Sequence, residues 1–183
     1  MANIDYIASV VEELIKKYDT RDPRELCNAM GIKIRYKDCE NLLKAYFVTV
    51  SRIKSIVINN RIHSTVQRIL IAHELGHAVL HKEIAFMRGF QEFELFDTND
   101  PTEYEANLFA AELLIEDDEL LDLLNDDDKS FFGVARELYV PAELLDFKFR
   151  VMKRKGYRIE APYISQSDFL KNDIHGCYHE EYF

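Results

Sequence analysis

The sequence predicts an α+β fold: a small antiparallel sheet packed against a buried helix and further helices, with a helical C-terminal part. Three observations carry this expectation. Residues 64–81, STVQRILIAHELGHAVLH, are apolar on nearly every face, as a helix through a core would be. Three short runs rich in β-branched and aromatic residues precede it, at 32–36, 45–50 and 55–59. Helical repeats with start and stop signals lie on both sides. At 183 residues, 48% apolar and 31% charged, the chain is long enough to bury a core of ordinary size.

Taken in order, Ile4, Ile7, Val10, Val11, Leu14, Ile15 and Tyr18 recur at helical spacing and predict an amphipathic first helix. Asp22-Pro23-Arg24-Glu25 predicts a second: a capping Asp, Pro at the first position, and Glu closing the box, with Gly31 as its stop. The three strand-like runs follow, and a sheet edge among them could accept an extended peptide or merely cover the core. Ser64 and Gln67 then match an S-x-x-Q capping box at the start of the apolar helix. That helix approaches the length of a membrane span, but Arg68, His73, Glu74 and His77 in its middle argue against lipid.

Polar groups on so apolar a helix need partners. His73 and His77 are four residues apart, one turn along the same face, so their rings can converge on one ion. Glu74 is rotated by about 100° from His73 and flanks that ion instead of joining the pair. From there it can take a proton from a bound water. The H-E-x-x-H pattern on a helix is the signature of zinc peptidases, with the Glu as general base. Zinc lowers the pKa of bound water to about 7, which supplies a nucleophile at neutral pH.

A catalytic zinc site needs a third protein ligand. His81 shares the face of His77 but lies about 12 Å along the axis from His73, so the three cannot easily reach one ion. A carboxylate from the next predicted helix is the better candidate. Between the two lies a connector, residues 82–100, whose Phe86, Phe90, Phe93 and Phe96 suit a core or the wall of a pocket. Asp100-Pro101 opens that next helix, PTEYEANLFAAELL. Glu103 and Glu105 compete as ligand, and both also match capping boxes, with Asp100 and Thr102. Glu103 shares a face with the small residues Ala106 and Ala110, which would let this helix press against the histidine-bearing one. Asn107, one turn on, could hydrogen-bond a ligating group. These features favour Glu103.

RILIAHELGHAVLH followed by EYEANLFAAELL resembles the ImmA/IrrE-type metallopeptidases. Their pattern runs roughly R-x-x-x-A-H-E-L-G-H-x-x-x-H, then E-x-E-A-N-x-F-A-A-x-L-L. The resemblance covers about residues 1–116. It implies a zinc metallopeptidase core there, with His73, His77 and Glu103 as zinc ligands and Glu74 as catalytic acid/base. It also implies a cytoplasmic endopeptidase acting on a helix-turn-helix transcriptional repressor, an anti-repressor in effect. One departure is Ile115-Glu116 where relatives commonly have Met-Pro. The alternative reading is a zinc-containing regulatory protein that antagonises its partner without cutting it.

Residues 117–156 are expected to extend the same domain, first as an acidic helix, then as SFFGVAREL and PAELLDFKFRVMKRK, two helices joined at 139–141 and ended by Gly156. Lys148, Arg150, Lys153, Arg154 and Lys155 make the last one basic, which reads faintly as a helix-turn-helix and more simply as cations at a helix C-terminus. Residues 157–183 form a tail with His175, Cys177 and His179, a solvated end or a lid.

Charge narrows the partners. Residues 1–100 hold 14 basic and 14 acidic side chains, whereas residues 101–183 hold 9 and 19, so the whole net charge of −10 lies in the second part. Direct nucleic-acid binding is not expected, because phosphate contact needs a basic surface. Three scattered cysteines imply no disulfide framework, and the acidic N-terminus MANIDYIASVVEEL does not read as a signal peptide; both suggest the cytoplasm.

Overall fold

The computed structural model describes residues 3–38, 44–81, 100–125 and 129–159. The described elements run α1 (Ile4–Tyr18), α2 (Pro23–Ala29), β1 (Lys33–Lys37), β2 (Ala45–Val50), β3 (Ile53–Asn59), α3 (Ser64–Leu80), α4 (Pro101–Leu114), α5 (Asp117–Leu124), α6 (Phe131–Glu137) and α7 (Ala142–Arg154). The fold is α+β, as expected. The phenylalanine-bearing connector, Cys177 and the histidines of the tail lie outside the described residues.

The sheet is mixed, which corrects the antiparallel expectation. Its order is β1-β3-β2, with β2 antiparallel to β3 and β1 parallel to it. β2 and β3 form a hairpin whose two-residue turn, Ser51-Arg52, has φ of 51° and 66°. Those angles match the right-handed twist of a hairpin, though Asn-Gly is the usual pair for them. As the central strand, β3 is buried without a break from Ser55 to Asn59.

α3 is the middle of the molecule. It packs on β2 and β3 on one side and most extensively on α4 on the other, while α4 also packs on α7 and α1. Gly76 makes the α3–α4 approach possible. A Cβ there would lie 3.2 Å from Ala106 Cα, 3.2 Å from Phe109 Cδ1 and 3.3 Å from Ala106 O. The small-residue face of α4 thus meets α3, as its composition predicted.

Helix starts follow the sequence signals at α2 and α4. Asp22 accepts from Arg24 N–H at 2.7 Å and Asp100 from Thr102 N–H at 2.7 Å, each with Pro at the first helical position. At α3 the cap is His63, not Ser64: its Nδ1 accepts from Thr65 N–H at 3.3 Å. Gln67 reaches back to donate to Ile62 O at 2.8 Å instead of closing a box.

Four basic residues of α7 and its C-terminal end face carboxylates. Lys148, fully buried, donates to Glu112 at 2.6 Å and to Asp117; Lys155 donates to Glu112 at 2.5 Å and Asp117 at 2.7 Å. Arg150 holds Asp146 and Arg154 holds Asp5, each at 2.7 Å. This clamp ties α7 and the start of α5 to the far end of α4, where Arg21 also donates to the carbonyls of Glu112 and Leu113. Cys27 is buried in the core, its thiol pushed up to about 12 by burial and by Asp22, so it is a packing residue.

Candidate metal centre

α3 brings His73 and His77 to the same face, and the close approach at Gly76 lets α4 deliver Glu103 between them. His73 Nε2 lies 3.0 Å from Glu103 Oε2 and 3.1 Å from His77 Nε2, and His77 Nε2 lies 3.4 Å from Glu103 Oε1. One ligand atom from each residue falls within 4.8 Å of the others. The two imidazoles meet edge to face, at 76°. All three side chains are buried or nearly so.

The surroundings prepare these atoms for a cation. Asn107 Oδ1 accepts from His73 at Nδ1, 2.9 Å away, which leaves the Nε2 lone pair aimed at the cluster. Burial works against charge on His73, yet the carboxylates of Glu103 and Glu74 outweigh it and raise its pKa. Positive charge is therefore attracted here. His77 is pushed down to about 4, by burial above all, with His73 and His81 adding to that and Glu103 opposing, so its ring is neutral near pH 7. Burial would raise Glu103, but the two rings hold it down at about 2 as a carboxylate. Two lone pairs and an anion at such distances need a shared cation or proton between them. Glu103 Oε1 makes no hydrogen bond among the described residues, as expected of an oxygen that faces such a cation. The donor set, two imidazoles and a carboxylate, suits zinc.

Glu74 is turned aside from the cluster, as the helical rotation predicted. It accepts a hydrogen bond from the backbone N–H of Phe47 on β2, and its Oε2 has no hydrogen-bond partner among the described residues. Burial, aided by the Glu103 charge, raises its pKa to about 7. Sequence reasoning did not find the Phe47 contact, because no pattern relates a strand N–H to a carboxylate 27 positions away.

The two carboxylates of α4 take different partners. Glu103 faces His73 and His77, whereas Glu105 Oε2 lies 3.0 Å from His81 Nε2. His81 in turn reaches His77, with 3.2 Å between their Nδ1 atoms. The helical spacing of His77 and His81 was the available signal for that contact.

The model of a peptidase family described as the IrrE N-terminal-like domain matches residues 27–150. The chain is 37% identical over 111 residues to "Uncharacterized immunity region protein 2" of Bacillus phage phi105, covering 61% of this chain and 69% of that protein. It is 29% identical over 163 residues to "Metallopeptidase ImmA" of Bacillus subtilis (strain 168), covering 85% of this chain and 90% of that protein. A family match across both the histidine-bearing helix and the helix that carries Glu103, with relatives that share most of their length, means that the chain belongs to the ImmA/IrrE family of metallopeptidases.

Proposed function

We propose that the chain is a cytoplasmic zinc-dependent endopeptidase that cleaves a regulatory protein, and that this substrate is a helix-turn-helix transcriptional repressor. The observation that carries the catalytic reading is the pairing of a metal-ready cluster with a buried carboxylate, Glu74, whose second oxygen has no hydrogen-bond partner among the described residues and whose pKa is raised to about 7. The repressor as substrate rests on the family resemblance, and a phage immunity-region relative is in keeping with it.

In this reading His73, His77 and Glu103 hold the metal, and Asn107 orients His73 from behind. When bound, zinc supplies a Lewis acid that polarises the scissile carbonyl and acidifies water. Glu74 does the proton work. Its Phe47 hydrogen bond fixes one oxygen, leaving Oε2 to take a proton from the attacking water and return it to the leaving amine. A pKa near neutrality suits both transfers. Lys148, Arg150, Arg154 and Lys155 are engaged by carboxylates, so we assign this helix no role in contacting nucleic acid.

The test is Glu74→Gln, incubated with a helix-turn-helix repressor from the same genome, with and without chelator. Zinc content should stay at about one per chain while cleavage falls by about 10²–10⁴-fold. A Glu74→Gln protein that still relieved repression fully in cells would overturn the peptidase reading and support a non-cutting antagonist.

A further inference from the structure

His81 and Glu105 belong neither to the three-residue cluster nor to the proton-transfer step, yet they are joined to the cluster in series. Glu105 Oε2 is 3.0 Å from His81 Nε2; His81 Nδ1 is 3.2 Å from His77 Nδ1; His77 Nε2 faces His73 and Glu103. Both nitrogens of His81 are thus engaged away from the cluster, and its side chain is only 9% exposed. An ionised carboxylate only accepts, so His81 donates to Glu105 through Nε2–H. The imidazole tautomer with its proton on Nε2 has its lone pair at Nδ1. Two nitrogens at hydrogen-bond distance need one donor, which must be the Nδ1–H of His77. That tautomer leaves the His77 lone pair on Nε2, the atom that faces Glu103.

We propose that His81 and Glu105 are a positioning pair: they fix the tautomer and ring orientation of His77 so that Nε2 is presented to the metal. The proposal rests on the zinc reading above. It gives His77 the counterpart of what Asn107 gives His73, an acceptor behind Nδ1. The two supports differ in kind. His73 leans on a neutral amide, whereas His77 leans on a chain that ends in a carboxylate.

The chemistry of the amides supplies a discriminating test. In Asn the side-chain oxygen sits as many bonds from the backbone as His Nδ1, so His81→Asn can keep an acceptor for His77. In Gln the polar atoms sit one bond further out, near the Nε2 position, so His81→Gln loses that acceptor while keeping size and polarity. Zinc affinity of the metal-stripped proteins is measured by competition with a chromophoric chelator, with His73→Ala as control and apo melting temperature as a check on folding. His81→Gln should bind zinc about 10–100-fold more weakly than the parent, the usual cost of losing such a support. Glu105→Gln should weaken it about tenfold, at the lower end of that range. His81→Asn should stay near the parent, and the apo melting temperatures should be alike.

Parent-like zinc affinity in His81→Gln, or equal loss in His81→Asn and His81→Gln, would overturn the positioning role. If His73→Ala loses zinc in the same experiment, the zinc reading survives that result. If the parent itself takes up no zinc, both fall together.

Discussion

Gly76→Ala tests whether the α3–α4 approach governs the molecule. In an exposed helix interior this change stabilises by about 1 kcal/mol, because Ala restricts the unfolded chain and suits a helix. Here the new methyl would sit 3.2 Å from Ala106 Cα and 3.3 Å from Ala106 O, backbone atoms that cannot turn aside as a side-chain tip could. Its third neighbour, the Phe109 ring at 3.2 Å, is itself fully buried. Overpacking in such a place costs about 1–3 kcal/mol, and a backbone obstacle argues for the upper half of that range. The net expectation is a loss of about 1–2 kcal/mol, or a melting temperature lower by roughly 3–6 °C for a chain of this length. Because Glu103 rides on α4 three residues before Ala106, zinc affinity should fall as well. Urea denaturation of the metal-free protein, followed by chelator competition, measures both. A variant as stable as the parent, or more so, would refute the reasoning, since helix propensity would then have outweighed the contact.

Three further predictions concern other parts of the structure. Asn107→Leu removes the acceptor behind His73 and should weaken zinc binding about 10–100-fold in the same competition assay, with little change in the far-ultraviolet circular dichroism. Lys148→Ala leaves Glu112 buried with Lys155 alone and should cost about 3 kcal/mol in urea denaturation, the lower end for a broken buried pair. Burial tends to raise the Asp117 carboxyl, but Lys148 and Lys155 outweigh it and hold the group below its ordinary value of 3.8. Its contribution is therefore present near neutrality and lost as pH falls through the lowered value. The stability difference between the parent and Asp117→Asn should be full at neutral pH and close as the pH drops below 3.8.

Where a feature depends on neighbours in sequence, it is legible in the sequence. The span of α3 and the convergence of His73 and His77 follow from helical periods, and the Asp-Pro starts of α2 and α4 from caps of a few residues. Where a feature depends on distant pairing, it is not. Alternation marked the strands but did not give their order, and the parallel partnership of β1 with β3 corrected it. β3 begins at Ile53, two residues before the expected start, because the Ser51-Arg52 turn carries no Asn or Gly to announce it. Lys148 read as part of a charged helix end; its burial depends on Glu112, 36 positions earlier. At the site, spacing alone offered both Glu103 and Glu105, and only the α3–α4 approach sets Glu103 against His73 and His77 and Glu105 against His81.

The clamp at the far end of α4 bears on how genetic data for this protein would read. Glu103 and Glu112 ride on one helix, nine residues or about 13.5 Å apart, so whatever unseats one end displaces the other. A screen for loss of function would then recover substitutions at Lys148 and Asp117 beside those at His73 and Glu74, with the same phenotype and no chemistry in common. Activity alone would draw an active site too large by two helices. Sorting the hits by zinc content and by melting temperature would restore its outline, because Glu74→Gln leaves both nearly intact and a broken clamp lowers both.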